Sequence, residues 1–177
     1  MAVQPYGGLV IPDGGIVTQA LTTTAGQIVA WAANGSSDSN TRYGDYAVIP
    51  DFANNRIKLN QAGAYLLDID LTLTGGGTQD VVVQVRKNNV LVADLSARIG
   101  VTASGRYLVG FTGILTINPG DIPKTLPTMP AASTTGFVGA SGAPLTECSV
   151  DVTLRTVAST VTVTLEAGHF TLCRLDG

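Results

Sequence analysis

A single histidine, His169, bounds the acid–base chemistry open to this chain. Imidazole is the one side chain whose ordinary titration falls between pH 5 and 8. A hydrolytic triad would have to recruit His169 together with a nucleophile held on a sharp Gly-x-Ser-x-Gly turn. No such elbow occurs. Gly139-Ala140-Ser141-Gly142 is one residue short of the pattern and lies in a stretch dominated by small residues and proline. His169 is therefore expected to be a structural imidazole on the last strand, and the chain is expected not to be an enzyme. Asp68 and Asp70 are two residues apart and share one strand face, where they could hold a cation. Local sequence offers them no third ligand, so they read as a polar face, solvated or between subunits, with no metal and no cofactor. Cys148 and Cys173 are too few for a disulfide framework and fit no zinc spacing; both read as buried free thiols. No phosphate-binding glycine loop is present. Trp31, near Tyr43 and Tyr46, could stack a sugar, but reads better as an anchor in a core or interface. Asn34-Gly35-Ser36 matches a glycosylation acceptor by letter and reads as a turn.

The elements that must position these residues are strands. In 65–73, Tyr65, Leu67, Ile69, Leu71 and Leu73 face one way, while Leu66, Asp68, Asp70 and Thr72 face the other. Gly75-Gly76-Gly77 ends that run. Val81, Val83 and Val85 alternate in the next strand, Asn88-Asn89 makes a turn, and 90–95 returns as a hairpin partner. Segment 107–117 is apolar on both faces, which predicts a core on one side and another chain on the other. Asn118-Pro119-Gly120-Asp121 is a turn. Segments 148–157 and 160–166 predict a hairpin around Ala158-Ser159, and 169–175 a final strand. Segments 16–21, 27–31 and 46–49 complete the set. Many short strands between turn residues define an all-β sandwich, barrel or jelly roll. Two segments stand outside it. Residues 1–15, with two prolines and four glycines, predict an extended N-terminal arm ahead of a domain spanning 16–177. Residues 123–147, rich in Pro, Ala, Ser, Thr and Gly, predict a loop insertion.

Charged residues make up only 13% of the chain against 45% hydrophobic, about half the charge usual in a soluble domain. Partners covering much of the surface would reconcile such a composition with solubility. A net charge of −3 argues against direct nucleic-acid binding, which needs a basic stripe. The uncharged stretch 126–146 is interrupted by Pro127, Pro130, Pro144, Gly136, Gly139 and Gly142, so no membrane helix is expected there. No lysine or arginine precedes Arg42, so no secretory leader is expected and synthesis in a host cytoplasm is.

Four weak motifs occur in order. Ile57–Leu73 contains an apolar strand leading into Ala62-Gly63-x-Tyr65 and a long alternating strand. Arg86-Lys87-Asn88-Asn89 follows, then a strand ending in Gly120-Asp121, then Gly168-His169-Phe170-Thr171-Leu172. In this order they resemble the tumour necrosis factor and complement globular-head superfamily, over roughly 46–175 without the insertion. Asn89 stands where the family's turn has Gly. The resemblance implies a single ten-strand jelly-roll sandwich that trimerises about a threefold axis, with Tyr65, Phe111 and Phe170 on the segments lining it. Bacteriophage capsid decoration proteins and fibre knobs use similar jelly rolls. By that analogy the chain is expected to be a non-enzymatic virion structural protein on the capsid surface. Its partners would be itself, as a homotrimer, and the major capsid protein, with Val3, Tyr6, Leu9, Val10 and Ile11 of the arm as capsid contacts. The alternative is a tail-fibre or head-fibre knob binding a host receptor or surface polysaccharide.

Overall fold

The computed structural model describes residues 6–29, 31, 33–34, 48–122 and 147–175. Val3, Tyr43, Tyr46 and nearly all of the predicted insertion lie outside the described residues.

Among the described residues, twelve strands form two antiparallel six-stranded sheets. The strands of the first sheet are β1 (Tyr6–Ile11), β2 (Val17–Leu21), β4 (Ala33–Asn34), β7 (Gly63–Gly75), β10 (Arg106–Ile117) and β12 (Val161–Arg174). Their order is β10-β7-β12-β1-β4, with β2 also paired to β12. The second sheet holds β3 (Gly26–Gln27), β5 (Val48–Asp51), β6 (Arg56–Leu59), β8 (Gln79–Lys87), β9 (Val90–Val101) and β11 (Cys148–Thr156). Its order is β5-β6-β11-β8-β9, with β3 also paired to β11. The two sheets face each other as a jelly-roll β-sandwich.

The period-2 pattern explains why the sheets close on each other. Tyr65, Leu67, Ile69, Leu71 and Leu73 of β7 are fully buried. They meet Val81, Val83, Val85, Val150, Val152 and Leu154 from the facing sheet in one hydrophobic core. β12 keeps this pattern across a break in register. Val163 and Leu165 point inward, a bulge falls between Leu165 and Ala167, and Phe170 and Leu172 resume the inward set. The bulge moves the inward parity from odd to even residue numbers, which is why 160–166 and 169–175 read as two strands in the sequence but form one. The expected hairpin at Ala158-Ser159 is absent for a related reason. β11 and β12 lie in different sheets, so the chain crosses the sandwich there instead of turning back on itself.

The N-terminal segment is extended, but as a strand of the sandwich. β1 pairs with β12 along its whole length, from Tyr6 opposite Cys173 to Ile11 opposite Gly168. Leu9 and Ile11 are buried in the chain's own core. The boundary expected at residue 15 therefore does not separate an arm from a domain: the alternation Leu9, Ile11 supplies an inward face that the sheet has room to bury.

Two of the weak motifs are explained by hydrogen bonds. In Ala62-Gly63-x-Tyr65, the Tyr65 hydroxyl donates to the Gln61 carbonyl at 2.8 Å, closing the corner into β7. Gly63 adopts φ 151°, a conformation L side chains rarely take. The Lys87-Asn88-Asn89 turn and the Gly120-Asp121 turn interlock. Lys87 Nζ lies 2.7 Å from Asp121 Oδ2, and Asn88 Nδ2 donates to the Asp121 carbonyl at 2.6 Å. Asn88 Oδ1 also accepts the Ser149 amide at 2.9 Å, so one side chain ties three segments together. Both Asn88 and Asn89 have positive φ, 49° and 66°, as a type I′ hairpin turn requires.

Candidate functional site

The outward face of β10-β7-β12 gathers the residues that could act on something outside the chain. Register places them in rows. Leu108, Gly110, Thr112 and Ile114 of β10 lie opposite Thr72, Asp70, Asp68 and Leu66 of β7. His169, Thr171 and Cys173 of β12 lie opposite Asp70, Asp68 and Leu66 on the other side. Residues directly opposite in an antiparallel pair share a face, so this is one continuous surface.

At its centre is a polar cluster. His169 Nε2 is 2.9 Å from Asp68 Oδ2 and 3.6 Å from Asp70 Oδ2. Thr112 Oγ1 donates to the other Asp68 oxygen at 3.0 Å. The His169 contact, assisted by the Thr112 bond and opposed by partial burial, holds the Asp68 carboxyl below its ordinary range. The three side chains are about two-fifths to one-half exposed, so the cluster opens outward. Gly110 is needed beside it: a β-carbon there would collide with the Asp70 carboxylate and lie 2.5 Å from the Ile69 carbonyl. Sequence reasoning had both aspartates on one face but not the third group. His169 is 101 residues from Asp68 and joins it only through the β7–β12 register. No triad forms here, because the Thr112 hydroxyl is directed at Asp68 and not at His169.

Around the cluster, large apolar side chains stand exposed among threonines. Leu108 is 69% exposed, Ile114 62% and Leu66 38%. The two-sided apolar character of 107–117 thus resolves into Val109, Leu115 and Ile117 buried inside, with Leu108 and Ile114 outside.

The three aromatics expected at a threefold axis are not on this surface. Tyr65 and Phe170 are fully buried in the sandwich core, and Phe111 is partly buried and packed against it. They stand on the anticipated strands but at the opposite parity. A one-residue shift in parity exchanges the two faces of a strand, and the chain's own core takes the larger side chains. The capsid contacts expected on the arm are also redistributed. Leu9 and Ile11 are buried inside, Val10 is half-buried, Tyr6 remains exposed, and Val3 lies outside the described residues.

Trp31 is buried, with its ring centroid 6.2 Å from that of Phe170, so it is a core anchor and not a stacking platform. Cys148 is buried in β11, and burial pushes its thiol up to about 11, which makes it a poor nucleophile. Cys173 is half-buried on the outward face of the other sheet, and both cysteines are free. Among the described residues no helix is long and apolar enough to cross a membrane.

The fold is a jelly roll similar to that of tumour necrosis factor-like proteins. Solved structures similar to the whole chain include the Eiger tumour necrosis factor of S. frugiperda. That match has 10% identity, a TM-score of 0.56, and coverage of 98% of this chain and 94% of the other. Murine APRIL matches at 9% identity and a TM-score of 0.51, with coverage of 97% and 99%. The PRD1 vertex protein P5 matches at 7% identity and a TM-score of 0.48, with coverage of 99% and 100%. At these identities the likeness establishes the fold alone. No protein-family model and no curated protein matches the sequence.

Proposed function

We propose that this chain is a non-enzymatic structural protein of a bacteriophage virion, a homotrimer that decorates the capsid lattice and stabilises the head. The observation that carries self-association is the outward face of β10-β7-β12. Leu66, Leu108 and Ile114 stand exposed on a sheet whose inward residues are fully packed. Large apolar side chains exposed on both sides of the polar cluster, on a chain with 13% charged residues, favour a partner that covers this face. The family resemblance supports a second and third copy of the chain as that partner, arranged about a threefold axis. Cyclic closure also satisfies every such face at once, leaving none to propagate an open chain. The virion assignment rests on the low charge, on the missing nucleophile motif, and on the analogy with phage decoration jelly rolls.

A trimer touching several capsid subunits binds multivalently, and avidity exceeds a single contact by about 10²–10⁴. Binding only to the assembled shell raises the shell's apparent stability by linkage. Particles lacking the protein should therefore assemble but release their genome at lower temperature. The protein should be present in hundreds of copies on a stained gel of purified particles. If a few dozen copies or fewer were found, and depleted particles kept their heat resistance but failed to adsorb to cells, the decoration role would be refuted and the fibre-knob alternative supported.

A further inference from the structure

We propose that His169, Asp68 and Asp70 form a binding site for a divalent first-row transition-metal ion of the zinc type. The three residues come from adjacent strands, β7 and β12, held in register by the sheet. One ligand atom from each can be chosen so that all lie within 4.8 Å of one another. Ligands bound to one tetrahedral ion at about 2.0–2.1 Å lie roughly 3.3–3.4 Å apart. The 3.6 Å spacing of His169 Nε2 and Asp70 Oδ2 is already close to that value. The 2.9 Å contact to Asp68 must open by a few tenths of an ångström, and the two carboxylates, whose ligand atoms lie within 4.8 Å of each other, close onto the ion. The site is also constructed for this geometry: Gly110 leaves the space that the Asp70 carboxylate fills, and Thr112 Oγ1 fixes the orientation of Asp68. A hydrogen bond to the non-ligating oxygen of a carboxylate is the usual outer support of a metal ligand.

The donor set selects the ion. One imidazole nitrogen with two carboxylate oxygens suits zinc and its neighbours, whereas calcium and magnesium favour all-oxygen cages. Three protein ligands on an open face leave at least one position for water or for a group from outside the chain. The charge balance gives the site a consequence that rests on the trimer proposed above. Two carboxylates on this face oppose its burial, because charges are costly to desolvate. A divalent cation held between them cancels both charges.

Titration of the metal-free chain with Zn²⁺ by calorimetry, and with Co²⁺ by visible absorption, tests the site directly. One saturable ion per chain is expected, with a ligand-field spectrum for cobalt that is displaced by zinc. His169→Gln and Asp70→Asn should each weaken binding by more than about tenfold, and Thr112→Val by a smaller factor, with circular dichroism unchanged. Asp94→Asn, which removes an exposed carboxylate on β9, should bind like the wild type. Calcium should not compete. Absence of saturable binding, or equal binding by wild type and His169→Gln, would overturn the proposal. Light scattering with zinc and with chelator separates the two ideas. A bound ion without any effect on mass leaves the site standing and removes its role in assembly.

Discussion

Shortening or weakening β1 should unfold the chain, and the magnitude follows from which of its side chains point inward. Leu9 is fully buried and faces Phe170 across the β1–β12 ladder. Leu9→Ala removes its buried methyl groups from a closed core, which typically costs about 2–5 kcal/mol. Val10 is the adjacent residue on the outward side and is only half-buried, so Val10→Ala should cost about 1 kcal/mol or less. With a urea slope of about 1–3 kcal/mol/M, a loss near 3 kcal/mol lowers the unfolding midpoint by roughly 1–3 M. Deleting residues 1–11 removes Leu9, Ile11 and the whole β1 ladder together. That loss approaches the total stability of an ordinary domain, about 5–15 kcal/mol, so the truncated chain should be unfolded or molten. Urea melts followed by tryptophan fluorescence are suited to this, because Trp31 packs against Phe170 beside the strand. If Leu9→Ala and Val10→Ala shifted the midpoint equally, or if the truncated chain melted like the full one, β1 would be a detachable arm and the packing argument would be wrong.

Further outcomes follow from the same geometry. Asn88→Gly should destabilise by about 1–2 kcal/mol, because it deletes the bonds to Asp121 and Ser149. Asn89→Gly should be neutral or stabilising, since φ 66° is cheaper for glycine; thermal melts of the two variants check this contrast. Asp121 has its carboxyl held below the ordinary 3.8, first by the Lys87 hydrogen bond and then by the Asn118 amide. Its folded-state value is lower than its unfolded one, so its contribution is present above 3.8 and fades as pH falls through the folded value. The stability gap between wild type and Asp121→Asn should therefore be constant near neutrality and close under acid, as read from melts across pH. Leu108→Asp with Ile114→Asp should leave the monomer fold intact by circular dichroism and abolish the trimer by light scattering.

The strands and turns were legible because one face of nearly every strand is buried, and burial imposes alternation on sequence. Asn88-Asn89 and 107–117 are clear cases: the first has the two positive φ values its residue types suggest, and the second has one core face and one open face. Pairing partners were less accessible. Nothing local distinguishes a turn within a sheet from a crossing between sheets, so 148–157 and 160–166 read as a hairpin. Nothing local reveals a bulge that keeps β12 continuous. The candidate site was half legible for the same reason. Asp68 and Asp70 share a face by period alone, whereas His169 reaches them through a register set by the whole sheet. Tyr65 and Phe170, expected at the threefold axis, face the core by parity. Large aromatics are attractive interface anchors, but these two belong to the inward apolar series of their strands, and such a series is claimed first by the chain's own core.

In the proposed assembly the outward face of β10-β7-β12 is covered by further copies of the chain. The mass of the purified wild-type protein at micromolar concentration, measured by multi-angle light scattering, tests it most directly. The trimer gives a single species of three chains of 18.2 kDa each, about 55 kDa in total. A monodisperse 18.2 kDa monomer, soluble with Leu66, Leu108 and Ile114 facing water, would contradict it.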